Sequence, residues 1–170
     1  LKEIMFDQKA VFNSRRDLTN RDIDLGKFIS TGLVVVISGV RRCGKSSLLY
    51  LIKEKMGLRE EDYCYFTFDD ERVDTSPAVL SDIFNLHVEL FGKEPVLFLD
   101  EVQQVDGWEK FVNRMYGQGV KVFVTGSNAR MLSSEISTDL TGRNKLIELL
   151  PFSFAEVLAY KGRQYDSLRL

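Results

Sequence analysis

Residues 33–49 read LVVVISGVRRCGKSSLL, and this stretch decides the fold. It opens with an unbroken apolar run, which is typical of a strand buried on both faces of a parallel sheet. Residues 39–46 then match the pattern G-x-x-x-x-G-K-[ST] at every fixed position. The mostly apolar residues that follow are predicted to form a helix. A strand, a glycine loop and a helix in this order predict a binding site for phosphate groups.

The residue types of this loop explain how it would hold an anion. Gly39 and Gly44 allow backbone angles that a Cβ disfavours, so successive N–H groups can turn toward one phosphate. The helix start adds unpaired N–H groups and the positive end of its dipole. Lys45 is predicted to reach the β- and γ-phosphates, and the Ser46 hydroxyl to ligate Mg²⁺. The predicted nucleotide-binding set is Gly39, Val40, Arg41, Arg42, Cys43, Gly44, Lys45, Ser46 and Ser47.

Length and composition restrict the class of protein. The 170 residues, 44% of them hydrophobic, suffice for one domain with a real core. We expect a core at residues 31–170 and a flanking segment at residues 1–30 that packs on it. The formal charge of −2 gives no general attraction to nucleic acid or to an anionic membrane. The sequence contains no apolar run long enough for a membrane span. No signal peptide is expected, because no such pattern leads these residues.

The cysteine and histidine content argues against two further classes. Two cysteines predict no disulfide framework, and together with the single histidine, His87, they predict no zinc site. A reducing cytoplasm is therefore the expected location. His87 has apolar neighbours, which favours a structural role. Because the chain begins without Met and ends without a helix cap, we expect it to be a fragment of a longer protein.

A second chemical pattern lies at residues 96–101, which read VLFLDE. The buried strand would hold Asp100 beside the phosphate loop, where it can bind Mg²⁺ directly or through water. Glu101 would point toward the γ-phosphate and act as a base on an attacking water. An acidic pair after an apolar run is weak evidence alone. Downstream of a phosphate loop, in a chain of alternating strands and helices, it becomes strong.

Polar residues at two later positions are candidates for sensing or stabilising the phosphate. Thr125, Ser127 and Asn128 end the next strand, and one of them could hydrogen-bond the γ-phosphate or the water; an ordinary polar turn explains them equally well. Arg143, just before the last strand, could reach a nucleotide held by a neighbouring subunit. Arg130 is the second candidate for that role, and a surface arginine without a role is an equal alternative.

Local signals place the remaining elements. A helix is predicted from Asn20 to about Ile29, and further helices are predicted to end at Gly57, Gly92 and Gly117. Two patterns resemble capping boxes and predict helix starts, Asp106 to Glu109 and Ser153 to Glu156. Strands and helices alternate from residue 33 onward, which predicts an α/β fold with about five mostly parallel strands. Ligands of such sheets lie at the carboxyl ends of the strands.

Taken in order, the motifs GVRRCGKSSLL, VLFLDE, VFVTGSN and LTGR followed by LPFSFAE resemble those of the AAA-like P-loop ATPases. The resemblance is closest to a family of single-chain ATP-binding proteins of archaea and bacteria. It implies a three-layer P-loop NTPase sandwich with strand order 5-1-4-3-2, and usually a further C-terminal domain of uncertain role. It also implies the following roles: Walker A at residues 39–46, Walker B at Asp100 and Glu101, a sensor among Thr125, Ser127 and Asn128, and an arginine finger at Arg143, hence a homo-oligomer.

These observations leave more than one function open. The first hypothesis is Mg²⁺-dependent ATP hydrolysis, coupled to an unknown partner protein and supported by the acidic pair. The second is a nucleotide switch that binds ATP or ADP with little turnover and controls its C-terminal region or an assembly. A weaker third hypothesis is association with nucleic acid through Arg41, Arg42 and Arg130. A guanine-specific enzyme is disfavoured because Asn144-Lys145 lacks the Asp of N-K-x-D.

Overall fold

The computed structural model describes residues 1–16, 18–19, 21–127, 140–154 and 156–157. Its helices are α1 (Lys2–Asn13), α2 (Gly26–Ile29), α3 (Lys45–Met56), α4 (Ala78–Phe91) and α5 (Trp108–Gly117). Its strands are β1 (Val34–Ser38), β2 (Tyr63–Thr67), β3 (Val96–Asp100), β4 (Val122–Gly126) and β5 (Asn144–Glu148). Two short 3₁₀ turns, Glu60–Asp62 and Val102–Gln104, precede β2 and follow β3.

The strands form one sheet in the order β2-β3-β4-β1-β5, and every recorded pair is parallel. This is the predicted order 5-1-4-3-2 counted from the other edge, so the predicted fold class is confirmed. β1 lies between β4 and β5, and all five of its residues are buried. The continuous apolar run at the start of the phosphate-loop motif is therefore a central strand covered on both faces.

Alternating side chains of the strands contribute to two apolar cores, one on each face of the sheet. Val34 and Val36 point into a core that includes residues of α4 and α5. Val35 and Ile37 point into a second core that includes α3 and a group of aromatic side chains. The strand period of two explains this division. The central strands are fixed from both sides, so the loops at their carboxyl ends start from a rigid base.

Helix α1 crosses the edge of the sheet at β2. Met5 belongs to the first core and Phe12 to the second, so the helix passes from one face to the other. The side-chain amide of Gln8 donates to Thr67 O at 3.1 Å and accepts from Thr67 N at 2.9 Å. The ammonium of Lys9 donates to the carbonyls of Glu60 and Tyr63. These contacts supply partners to an edge strand that would otherwise expose unpaired backbone groups.

Two local predictions were wrong. The helix expected from Asn20 to Ile29 is limited to α2, because the Asp24 carboxylate accepts from Gly26 N at 3.1 Å in a local turn. Asp106 does not cap α5. The N-cap is Gly107, in a left-handed conformation, and no side chain makes the cap hydrogen bond.

Other predicted helix limits agree with the structure. α3 ends at Gly57 and α4 at Gly92. The second capping box is present: Ser153 N donates to Glu156 Oε2 at 2.7 Å, and Glu156 N donates to Ser153 Oγ at 3.2 Å. The reciprocal pattern in the sequence was thus sufficient to locate this helix start.

Candidate functional site

The loop between β1 and α3 has a geometry that its glycines make feasible. A Cβ added to Gly39 would lie 2.4 Å from the carbonyl oxygen of Leu149 and 2.7 Å from Cys43 Sγ, so only glycine fits there. Gly44 is the N-cap of α3 and has φ of 97°. Arg42 is also left-handed, with φ of 64°, which is uncommon for a residue with a side chain. The loop therefore turns sharply just before the first N–H groups of α3.

Lys45, the first residue of α3, lies inside this turn. The residue is only 5% exposed, and its Nζ donates to Gly39 O at 3.1 Å and to Val40 O at 3.3 Å. The same Nζ is 3.1 Å from Glu101 Oε1. A buried ammonium needs partners of this kind. The predicted lysine and the predicted base are therefore in direct contact.

The acid pair lies at the end of β3, beside the loop. Asp100 is buried; its Oδ2 accepts from the Tyr65 hydroxyl at 3.0 Å and its Oδ1 from the Thr125 hydroxyl. Burial raises the pKa of Tyr65 well above its usual range, and the nearby Asp100 carboxylate is the second cause of this shift. Tyr65 therefore keeps its proton and remains a hydrogen-bond donor. The two donors fix the Asp100 carboxylate, which is the group predicted to hold the metal.

Glu101 has a strained backbone that directs it toward the loop. It has φ of 54°, a left-handed conformation that non-glycine residues adopt at a cost of about 1–2 kcal/mol. Its N–H donates to Thr125 Oγ1 at 3.0 Å, and its carboxylate accepts from Gln103 Nε2 at 2.6 Å in addition to contacting Lys45. Thr125 thus holds both acids, because its hydroxyl donates to Asp100 and accepts from Glu101.

In the described part of the chain, three cavities adjoin these groups. A cavity of about 270 Å³ is lined by the phosphate loop, Lys45, Ser46, Ser47, Arg15 and Glu101. A polar cleft of about 880 Å³ also reaches Ser46, Asp100 and Glu101 and is bounded on its far side by α1. A mostly apolar cavity of about 350 Å³ lies on the other side of Gly44 and Ser47. In this order, we call them the phosphate cavity, the polar cleft and the apolar cavity.

These residues fit a nucleotide phosphate chain with Mg²⁺. The phosphate cavity joins a lysine ammonium to the N-terminus of a 12-residue helix, a combination that favours anions. Ser46 and Asp100 both line the polar cleft. Among the described residues no group of three or more His, Cys, Asp and Glu side chains could hold a metal. Mg²⁺ commonly uses one or two protein oxygens together with substrate phosphates and water, which matches this sparse donor set.

Arg21 is a contributor to the site that the sequence did not reveal. Its Nη1 donates to Cys43 O at 3.0 Å, its Nη2 to Leu150 O at 2.6 Å, and its Nε lies 2.9 Å from Glu156 Oε1. Its guanidinium also lies 4.4 Å from the centre of the Phe152 ring. Arg21 therefore ties the phosphate loop to the capping box at Ser153. No local pattern marks it, because all these contacts are distant in sequence.

Other predicted site residues have different surroundings. Val40 and Arg41 are exposed, and Arg41 Nη2 pairs with Asp69 at 3.2 Å. Cys43 is a free thiol, buried in the second apolar core. Ser127 is half-buried after β4. Asn128 and Arg130 lie outside the described residues.

Arg143 lies at the opposite end of the sheet from the phosphate loop. Its carbonyl accepts from Val34 N, at the start of β1, whereas the loop follows the end of β1. Its Nη1 donates to Asn113 Oδ1 on α5. Arg143 is thus separated from Lys45 of the same chain by the length of a strand.

A parallel sheet of this strand order, with a glycine loop, a buried lysine and an acid pair along one edge, defines an AAA-like P-loop fold. The comparisons with known proteins agree. The family model AAA_14, described as an AAA domain, matches residues 31–158, and the chain belongs to this family.

Two relatives are 37% identical to the chain. One is an uncharacterized protein of Methanocaldococcus jannaschii, MJ1544, matched over 94% of this chain and 36% of the relative. The other is an uncharacterized protein of Haemophilus influenzae, matched over 79% of this chain and 35% of the relative. The chain therefore spans about a third of the length of these relatives.

Solved structures with a similar fold include two of the replication initiator DnaA. The first, bound to AMPPCP and single-stranded DNA, has a TM-score of 0.53 and 18% identity and covers 84% of this chain and 50% of that one. The second, AMPPCP-bound DnaA from Aquifex aeolicus, also has a TM-score of 0.53, with 16% identity, and covers 84% of this chain and 51% of that one. At this level of identity the likeness concerns the fold. Among the described residues, none of the helices has the length and apolar character needed to cross a bilayer.

Proposed function

We propose that this domain binds MgATP at the phosphate loop and hydrolyses it. The observation that carries the proposal is the contact of Lys45 Nζ with Glu101 Oε1 at 3.1 Å, next to the doubly anchored Asp100. A cation for the phosphates, a carboxylate for a metal and a carboxylate for a base thus lie along one rim. These are the components that phosphoryl transfer to water requires.

Each group has a specific task in the proposed reaction. The loop N–H groups and Lys45 bind the β- and γ-phosphates. Ser46 and Asp100 would hold Mg²⁺, which would neutralise charge on the phosphates. Glu101 orients a water and accepts its proton. The water oxygen bonds to the γ-phosphorus as the bond from that phosphorus to the β–γ bridging oxygen breaks. The products are ADP and inorganic phosphate.

The apolar cavity is the proposed site for the adenine base. It shares Gly44 and Ser47 with the phosphate cavity, and its other walls include Leu18, Leu51 and Phe152. A flat aromatic base would lie against these side chains while its phosphates extend along the loop. The volume of about 350 Å³ falls within the usual range for ligand pockets.

Purified protein provides the test. We expect it to bind MgATP and to release phosphate, and we expect Glu101→Gln to retain ATP binding while turnover falls about 10²–10⁴-fold, the typical contribution of a general base. Glu71→Gln, at an exposed position, is the matched control and should leave turnover unchanged. Unchanged phosphate release in Glu101→Gln would contradict the proposal.

The same measurements distinguish hydrolysis from switching. Tight binding of ATP with negligible turnover in the wild type would favour a nucleotide switch that acts on its C-terminal region or on an assembly. Because the relatives are about three times as long as this chain, coupling to a partner is best sought with a longer protein. A Glu101→Gln trap in MgATP should capture that partner.

Assembly and nucleic-acid binding are also proposals. Arg143 would serve as an arginine finger only in a homo-oligomer, since it is far from the nucleotide site of its own chain. Nucleic-acid binding through Arg41 and Arg42 has weaker support, because Arg41 already pairs with Asp69. Binding to DNA or RNA that falls steeply with salt would support it. The cytoplasmic location remains a prediction, and the two described cysteines are both free.

A further inference from the structure

The side chain of Arg15 lines two of the cavities of the nucleotide site, although Arg15 lies 30 positions before Lys45. It follows the last turn of α1 and borders both the phosphate cavity and the polar cleft. Its guanidinium carbon is 5.8 Å from the ring centre of Phe12, and that ring stacks on Tyr65 at 3.9 Å. The packing of α1 on the core thus delivers an arginine to the rim.

Among the residues that the structure describes, the contacts of Arg15 leave part of its guanidinium without a partner. Nη1 lies 3.5 Å from Ser47 Oγ, which is at the outer limit for a hydrogen bond. The side chain also interacts with the Tyr65 hydroxyl, which in turn donates to Asp100. The Nε atom is buried and has no hydrogen-bond partner in the part of the chain that the structure describes.

Arg15 also lacks a carboxylate partner among the described residues. Several other arginines that line the polar cleft or the apolar cavity have one: Arg21 with Glu156, Arg41 with Asp69, and Arg72 with Asp7 and Asp70. A guanidinium is always charged and presents five donors in a planar fork that suits phosphate oxygens. Leaving such a group partly buried and unpaired is unfavourable. An anion in the adjoining cavity would remove this cost.

We propose that Arg15 is a phosphate ligand supplied in cis, which contacts the triphosphate from the side of the polar cleft, away from the glycine loop. This inference rests on the proposed ATP site and deepens it. Ser47 and Tyr65 lie beside the guanidinium, and the polar cleft gives it access to the γ-phosphate. Through Tyr65, the same arginine is connected to Asp100, the carboxylate that would hold the metal.

The test compares Arg15→Ala, Arg15→Lys and the neighbouring control Arg16→Ala. Arg16 is exposed and donates to the main-chain carbonyls of Asn13 and Arg15. We expect Arg15→Ala to weaken MgATP binding about tenfold or more, in line with loss of a charge-assisted contact, and to weaken ADP binding much less. Turnover should fall by about 10³-fold, as for other arginines that stabilise the transferring phosphoryl group. Arg15→Lys should recover part of both losses, and Arg16→Ala should match the wild type.

A mixing experiment separates action in cis from action in trans. Lys45→Ala subunits carry an intact Arg15 but should not bind nucleotide. If adding them to Arg15→Ala protein restores turnover, Arg15 acts on a neighbouring subunit and the inference is overturned. Failure to restore turnover agrees with a ligand from the same chain.

Failure of this inference differs from failure of the proposed function. Suppose that the wild type binds and hydrolyses ATP, and that Arg15→Ala has the same turnover and the same affinities for ATP and ADP as the wild type. Only the role of Arg15 is then overturned. A wild type that binds no nucleotide overturns both. If Arg15→Ala melts at a lower temperature than the wild type, Arg15→Gln replaces it, because Gln keeps most of the stem over Phe12 and a polar end without the charge. The same comparison of ATP with ADP then decides.

Discussion

Two lysines on opposite rims of the sheet make similar contacts. On the carboxyl rim, where the strands end, Lys45 donates to two main-chain carbonyls and pairs with Glu101. The amino rim is the opposite side, where the strands begin. On the amino rim, Lys121 donates to the carbonyls of Phe28, Thr31 and Leu33. Lys45 borders a cavity at the N-terminus of α3, whereas Lys121 lines none of the three cavities of the site. A lysine that binds main-chain carbonyls therefore serves two purposes. On the amino rim Lys121 only stabilises a loop, whereas on the carboxyl rim Lys45 is also available to a ligand.

The difference arises from the direction of the strands. All strands point the same way, so the helix starts and the ends of β1, β3 and β4 collect on the carboxyl rim. Helix N-termini attract anions, and the residues that follow the strands supply the acids. The amino rim receives helix C-termini, whose free carbonyls are satisfied by cations such as Lys121. Substitutions of matched residues on the two rims test this difference.

The largest expected effect is that of Lys45→Ala on nucleotide binding. The substitution removes the positive group that would contact the β- and γ-phosphates. We therefore expect MgATP affinity to fall by about 100-fold or more. The exposed residue Lys55 on the same helix provides a control, Lys55→Ala, which should bind normally. Isothermal titration calorimetry measures both. Wild-type affinity in Lys45→Ala would remove the functional difference between the rims.

Gly39→Ala should impair folding of the carboxyl rim. The new methyl group would meet the carbonyl of Leu149 at 2.4 Å, and main-chain atoms cannot move aside cheaply. We expect a loss of about 1–3 kcal/mol in the free energy of unfolding, typical of overpacking, together with loss of nucleotide binding. Gly32→Ala, where no atom of the described residues lies within 4 Å of the added group, is the control for urea denaturation. Equal urea midpoints for Gly39→Ala and Gly32→Ala would show that the phosphate loop has room for a side chain at residue 39.

Thr125→Val tests how the acids are held. Removing the hydroxyl leaves Asp100 with one donor fewer and Glu101 N–H without its acceptor. We expect a loss of stability of about 1–3 kcal/mol, the cost of unsatisfied buried groups, and a turnover reduced more strongly than ATP affinity. On the amino rim, Thr31→Val removes the acceptor of Leu33 N–H and should leave turnover unchanged. Equal effects of the two valines on turnover would contradict a positioning role for Thr125.

Lys121→Met is the counterpart of Lys45→Ala. It should lower the free energy of unfolding by about 1–3 kcal/mol, because three carbonyls lose their shared donor. MgATP affinity should be unchanged, since Lys121 is on the other rim. Thermal melting with and without MgATP measures both quantities. A marked loss of affinity would show that the rims are coupled.

Arg143→Ala should have the smallest effect on the isolated domain. Arg143 is exposed and its side chain contacts Asn113, so the free energy of unfolding should change by no more than about 0.5 kcal/mol. Turnover should fall only under conditions in which the protein assembles. Analytical ultracentrifugation beside the ATPase assay relates the two. Reduced turnover in a strictly monomeric sample would contradict action in trans.

Much of the carboxyl rim could be predicted from sequence, because its signals are local. The loop pattern lies within eight residues, and the acid pair directly follows its own apolar strand. Parallel pairing then brings them together without further information. Helix α1 was not predicted, because two of its buried residues are Gln8 and Lys9, which a periodic reading assigns to solvent.

The contacts that were missed are those between segments distant in sequence. Arg15 and Arg21 look like ordinary polar residues, and only the fold brings them to Ser47 and Cys43. At Asp106 the capping pattern was present, but the left-handed Gly107 begins the helix without a side-chain cap. A sequence pattern indicates which conformation a short segment prefers. The contacts of Arg15 and Arg21 and the start of α5 depend instead on tertiary packing.

The hydrogen bonds of Gln8 to both main-chain groups of Thr67 have a consequence for shortened forms of the protein. A version that begins after α1 would leave β2 with a free strand edge, and such edges recruit strands from other molecules. Self-association through the sheet, and with it poor recovery on expression, is the outcome to expect of that truncation. The first thirteen residues would thus protect the exposed edge of β2 and prevent aggregation through the sheet.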